Sequence, residues 1–179
     1  MEMTNKDKID FIYLSQQPSR YTFEQPKLKQ WVESYCIGRV LNLFAGKIKL
    51  SVNEIRVDIS NDFKPDYCMD AYDFITSWDK GNFDTVILDP PYNVRQAREK
   101  YFDRYIGSLT KIKNQIPKIL NDGGRVIALG YDTTGMSTTR GFKKIAICLI
   151  CHNGRHNDTI GLVEEFRLSE IGSKLLLNI

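Results

Sequence analysis

Short apolar runs alternate along this chain with amphipathic segments, and that alternation limits the fold more than any other feature. The stretches "GRVLNLFAG" (38–46), "NEIRVDIS" (53–60), a short piece around Tyr67 to Met69, "FDTVILD" (83–89) and "GRVIALGY" (124–131) read as strands. Between them lie helical patterns. Leu28, Trp31, Val32 and Tyr35 recur at helical spacing, Tyr72, Phe74, Ile75 and Trp78 follow Asp70, and "SLTKIKNQIPKILNDGG" is apolar at Leu109, Ile112, Ile116, Ile119 and Leu120 before glycines close it. Strands that alternate with helices predict a mostly parallel sheet covered on its faces. The last two runs, "KKIAICLIC" and "TIGLVEEFR", are joined by "HNGRHND", too tight for a parallel crossover, so they predict an antiparallel hairpin at one edge. The count is seven strands in one α/β domain spanning 1–179, with residues 1–18 expected as a tail or short helix.

One connection breaks the pattern. Only "KIKLSV" separates Gly46 from Asn53, too few residues for the crossover helix that parallel strands normally use. The expectation is an extended loop there, or a misplaced second strand. A nucleotide site at this edge would lack the helix N-terminus that often holds a phosphate. That favours an adenosine compound without phosphate at this point.

In open parallel sheets, ligands sit beyond the carboxyl ends of the strands, and the chemistry-bearing residues cluster at those ends. "NLFAG" ends the first strand with Ala45 and Gly46, which let backbone approach a ligand. Asp58 ends the second strand, where an acid can take a ribose hydroxyl pair, or simply be a surface acid. Asp70 ends the third and precedes a helix, as a ligand contact or as an N-cap. The fourth delivers Asp89-Pro90-Pro91-Tyr92, in which two prolines fix the backbone.

A plain turn would use these four residues too, yet an apolar strand carries them to the ligand edge. An exocyclic amino group on a base is a poor nucleophile because its lone pair is delocalised. The Asp89 carboxylate and the Pro90 carbonyl can each accept a hydrogen bond from that amine and favour a pyramidal nitrogen. The Tyr92 ring can stack on the base.

In this plan the sequence resembles the class I S-adenosylmethionine-dependent methyltransferases, and within them the N6-adenine-specific DNA methyltransferases. Their signature is Asp, Asn or Ser, two prolines and an aromatic residue, here Asp89 to Tyr92. The resemblance covers about residues 21–166. It implies a Rossmann-like class I fold and methyl transfer from S-adenosylmethionine to N6 of adenine in DNA, with Asp89, Pro90, Pro91 and Tyr92 as the catalytic motif. It also implies cofactor contacts at Asn42, Phe44, Ala45 and Gly46, a ribose acid at Asp58, and adenine contacts at Asp70 and Ala71. Tyr21, Phe23 and Pro26 would close over methionine. Two departures from the family stand out: Asn42 replaces the usual Asp of the first motif, and Lys47, Ile48 and Lys49 follow Gly46 where further glycines are usual.

Similar small chains act on guanine N2 or adenine N6 of RNA, and a non-catalytic methyltransferase-like subunit that binds nucleic acid would share the fold. No stretch is long enough for a separate target-recognition domain, so loops, a second copy of the chain or a specificity subunit must supply recognition. The segment "NVRQAREKYFDRYIG" is the substrate-binding candidate. Asn93, Arg95, Arg98, Lys100 and Arg104 interleave with Tyr101, Phe102 and Tyr105, either as phosphate and base contacts or as a solvated helix face. A base in a duplex must be flipped out to reach Asp89. The net charge of +3 is compatible with nucleic acid.

Cys148, Cys151, His152 and His156 superficially resemble a zinc site, but the two cysteines point to opposite faces of one strand, and no metal is expected. The histidines sit on a turn at the ligand edge, within reach of substrate. Cys36, Cys68, Cys148 and Cys151 are expected as thiols, and the polar start with no apolar run of about 18 residues predicts a cytoplasmic protein without a membrane span.

Overall fold

The computed structural model describes residues 8–90, 109–154 and 157–169. In chain order the regular elements are β1 (Asp10–Ser15), α1 (Pro26–Tyr35), β2 (Val40–Asn42), β3 (Glu54–Asp58), β4 (Tyr67–Cys68), α2 (Ala71–Ser77), β5 (Phe83–Leu88), α3 (Leu109–Ile119), β6 (Leu120–Gly130), β7 (Phe142–Cys151) and β8 (Thr159–Phe166). They build one sheet in the order β1-β7-β8-β6-β5-β2-β3-β4. Strands β4, β3, β2, β5 and β6 run parallel, and β8 lies antiparallel between β6 and β7. The order reverses on either side of β2, where a doubly wound sheet opens its ligand crevice.

Each face carries a core. On one, α2 and α3 pack Phe74, Ile75, Ile112 and Ile116 against Val86, Leu88 and Val126. On the other, α1 packs Leu28, Trp31 and Val32 against Val40, Ile87, Ile127 and Val163. Val86 and Ile87 fall to opposite cores because successive strand residues face opposite sides. Gly161 on β8 makes room for α1: a Cβ there would lie 2.5 Å from the Trp31 ring.

The amino-terminal segment departs from expectation. Asp10–Ser15 is neither tail nor helix but β1, an edge strand parallel to β7, so the sheet has eight strands rather than seven. Helical or alternating burial could not reveal it. Phe11 is 66% exposed and Tyr13 56%, and Leu14 is the β1 side chain that packs on the core. The strand is held by its backbone ladder to β7, prolonged by the Gln16 N–H to the Cys151 carbonyl (3.0 Å).

The short first connection is an extended loop. β2 and β3 are parallel neighbours in register Val40↔Glu54 to Asn42↔Arg56, and residues 43–53 join them without a helix.

Candidate functional site

The carboxyl ends of β2, β3 and β4 surround a solvent-open cleft lined by Leu43, Phe44, Asp58, Ile59, Met69, Asp70 and Ala71. Its floor is apolar, and two carboxylates stand in its wall. An apolar lining with a few polar groups is the character of a small-molecule site.

The loop over β3 is shaped by side chains that alternate along that strand. Glu54, Arg56 and Asp58 lie two residues apart and so share one face. Glu54 accepts from the Leu50 N–H (2.9 Å) and from the Asn42 amide (3.1 Å). Arg56 donates to the Gly46 carbonyl (2.6 Å), and Asp58 accepts from the Gly46 N–H (2.8 Å). From α1, Glu33 takes the Ser51 N–H (2.6 Å). Gly46 itself has φ +56° with open space where a Cβ would stand, so glycine is required by conformation and not by crowding.

Asp58 is buried, with its second oxygen on the Ser60 N–H at 2.9 Å. Burial pushes its carboxyl above the usual carboxylate range, against the pull of the Ser60 and Gly46 amides and of Arg56. Burial raises Glu54 likewise, opposed by Asn42, the Leu50 amide and Arg56.

The other sequence-derived residues take distinct places. Asp70 both lines the cleft and caps α2, its Oδ1 accepting from the Tyr72 N–H (2.7 Å) and the Asp73 N–H (3.3 Å). Ala71 and Phe44 line the cleft, whereas Ala45 is buried and held by its N–H on the Val57 carbonyl (3.1 Å). Asn42 is 0% exposed; its amide supports Glu54 beneath the loop and does not line the cleft.

Tyr21 stands beside the loop, with Lys47 over its ring at 5.4 Å and Phe63 edge-on at 5.9 Å. Phe23 is in the core on the α1 side, and Pro26 starts α1. Asp89 and Pro90 follow β5 directly, and the register Asn42↔Ile87 brings them to the same edge as Phe44. Pro91, Tyr92, Asn93, Arg95, Arg98, Lys100 and Arg104 lie outside the described residues, as does His156.

His152 does not face a substrate. It is buried, with Nδ1 3.0 Å from the Gln16 carbonyl and Nε2 3.0 Å from Thr159 Oγ1, a tie between the end of β1 and the hairpin. Cys148 is buried and Cys151 half-buried, on opposite faces of β7; both are free thiols, as are Cys36 and Cys68. Burial pushes the Cys36 and Cys148 thiols up to about 12, which keeps them protonated. Among the described residues, no group of three or more His, Cys, Asp and Glu is placed to hold a metal ion, and no helix is long and apolar enough to cross a membrane.

Sequence reasoning missed Leu43, Ile59 and Met69 on the cleft wall and Glu54 and Arg56 beneath it. The signal for the last two was present. Charges at 54, 56 and 58 on one face of a strand that also carries buried apolar residues must meet polar partners.

No protein-family model and no curated protein matches the sequence. Solved structures do match the fold. TrmN from Thermus thermophilus aligns with a TM-score of 0.51 at 16% identity over 79% of this chain, which spans 49% of that structure's length. The N-methyltransferase NodS from Bradyrhizobium japonicum, in complex with S-adenosylhomocysteine, aligns at 0.51 and 11% identity over 78% of this chain and 83% of that one. The Burkholderia thailandensis 1,6-didemethyltoxoflavin-N1-methyltransferase, with its substrate and S-adenosylhomocysteine bound, aligns at 0.53 and 9% identity over 78% of this chain and 76% of that one. The chain therefore has the Rossmann-like fold of these methyltransferases.

Proposed function

We propose that this chain transfers a methyl group from S-adenosylmethionine to an exocyclic amino nitrogen of a nucleobase, with N6 of adenine in DNA as the substrate. The observation that carries the reading is a shared edge. Asp58 ends β3 and Asp89 follows β5, the two strands that flank β2, while Phe44 and Gly46 lie in the loop that leaves β2 itself. Support also comes from two fold neighbours named as N-methyltransferases, both solved with S-adenosylhomocysteine.

The cleft suits the adenosine portion of the cofactor. It is apolar at Leu43, Ile59 and Met69 and carries a buried carboxylate at Asp58 that can accept ribose hydroxyls. When bound, S-adenosylmethionine supplies a methyl carbon activated by its sulfonium. The Asp89 carboxylate and the Pro90 carbonyl accept the two N–H bonds of the target amine and hold its lone pair toward that carbon. Asp89 would take the amine's surplus proton once the nitrogen carries the methyl group and pass it to solvent. Tyr92 stacks on the base, and Asn93, Arg95, Arg98, Lys100 and Arg104 hold the strand. Recognition comes from these loops, from a second copy of the chain or from a specificity subunit.

The test is transfer from radiolabelled S-adenosylmethionine to unmethylated DNA and, separately, to transcribed RNA, with product nucleosides identified by mass spectrometry. N6-methyladenine in DNA is the expected result. Label in RNA alone would keep Asp89 and Pro90 in role and move the substrate to RNA. Cofactor binding with no label in either would make the chain a nucleic-acid-binding subunit or assign it another amine. No cofactor binding would overturn the reading.

A further inference from the structure

A parallel crossover without its helix leaves the loop of residues 43–53 with backbone bonds to its neighbour strands only at Leu43, Ala45 and Asn53, yet this loop lines the cleft. Ile59, in the segment of residues 59–66 that leaves β3, lines the same cleft. One side chain reaches both segments. Arg56, 7% exposed, donates from Nη2 to the Gly46 carbonyl (2.6 Å) and from Nη1 to the carbonyls of Phe63 (3.3 Å) and Lys64 (3.1 Å). Its own N–H is anchored by Asp66 at 2.8 Å, and its Nε lies 3.8 Å from Glu54.

The two bound corners share a conformation. Gly46 has φ +56° and Lys64 φ +48°, both left-handed, a state that disfavours non-glycine residues and persists where partners hold it. The Gly46 peptide is gripped from both sides, its N–H by Asp58 and its carbonyl by Arg56.

We propose that Arg56 is the positioning residue of the cleft: its guanidinium bridges the loop after β2 to the loop after β3 and sets the width of the slot between Phe44 and Ile59, the task a crossover helix would otherwise perform. The cofactor consequence rests on the function proposed above; the clamp itself does not. A planar fork with five donors can span three carbonyls in two loops, whereas an ammonium serves them one point at a time. Lysine at this position therefore keeps the charge and loses the bridge.

Lys47 and Lys49 lie within the loop and make it a trypsin target. The experiment compares wild type, Arg56→Met, Arg56→Lys and a core control, Ile116→Ala, below their melting temperatures. Trypsin cleavage after Lys47 and Lys49 is followed by mass spectrometry, and S-adenosylhomocysteine affinity by calorimetry. Arg56→Met should speed cleavage at both sites at least about tenfold and weaken the ligand at least about tenfold. Arg56→Lys should lie between Arg56→Met and wild type. Ile116→Ala, compared at the same distance below its Tm, should leave both within about twofold of wild type.

Unchanged cleavage in both Arg56 variants overturns the clamp. So does faster cleavage that the core control matches. If wild type binds no S-adenosylhomocysteine, the proposed function fails while cleavage still decides the clamp. If Arg56→Met does not fold, Arg56→Lys carries the same comparison.

Discussion

Replacing Asp58 by Asn removes one charge and changes few atoms, so its cost can be worked from the contacts. The carboxylate accepts from the Gly46 N–H at 2.8 Å and the Ser60 N–H at 2.9 Å. Asn offers one carbonyl oxygen and one NH2, so one of those donors faces another donor. A hydrogen bond to a charged group is worth about 1.5–3 kcal/mol, and loss of the buried charge returns part of that, leaving a net destabilisation of about 1–2 kcal/mol. For a chain of this size that lowers Tm by about 2–8 °C. Ligand binding should suffer separately, because the variant can no longer offer an anion to two ribose hydroxyls. One lost charged contact lowers S-adenosylhomocysteine affinity about 10- to 100-fold. Thermal melting and calorimetry on the same preparation separate the two effects. A fall in Tm with unchanged ligand affinity would refute the ribose assignment and leave Asp58 as a tie for the Gly46 corner alone.

Asp89→Ala should cut methyl transfer at least about 100-fold while S-adenosylhomocysteine still binds, checked by label incorporation beside calorimetry; full activity removes Asp89 from the reaction. Gly46→Ala meets open space and pays only for φ +56°, about 1–2 kcal/mol, whereas Gly135→Ala has φ +55° and puts a Cβ 2.2 Å from Glu164 Oε2; denaturant unfolding should rank Gly135→Ala as clearly the worse. Stability should rise as pH is lowered through the raised folded values of the buried acids toward the ordinary carboxylate range. Burial raises the folded pKa of Asp58, Glu54 and Glu164, so their contribution is fully present below the unfolded value and is lost as pH rises through the folded one. Below about pH 4 the trend should reverse. There Asp84 and Asp132, held low first by the Arg39 and Thr134 amides, contribute stability above their unfolded value that is lost as pH falls through the folded one. A Tm that does not rise as pH is lowered from neutral to the ordinary carboxylate range would contradict the first half.

Much of this molecule is written locally. Short apolar runs mark the inner strands and period-3.6 patterns mark the helices, because those side chains bury against a neighbouring layer. The hairpin follows from the length of "HNGRHND", the helix-free crossover from the length of "KIKLSV", and the capping role at Asp70 from a short acceptor ahead of an apolar turn. Glycine at 46 ends a strand in a way that announces a close approach, and the structure gives it a left-handed corner.

Tertiary structure decided the rest, because the forces involved join residues far apart in the chain. β1 exists through backbone bonds to β7, some 136 residues away at Asp10↔Ala146; its side chains are mostly exposed, and the apolar run Phe11 to Leu14 was the one local signal of it. His152 looked free on a polar turn until the fold closed Gln16 and Thr159 around its ring. Arg56 and Glu54 looked like ordinary strand charges until the missing helix brought a loop over them, and only then did a buried cation acquire three carbonyls to hold.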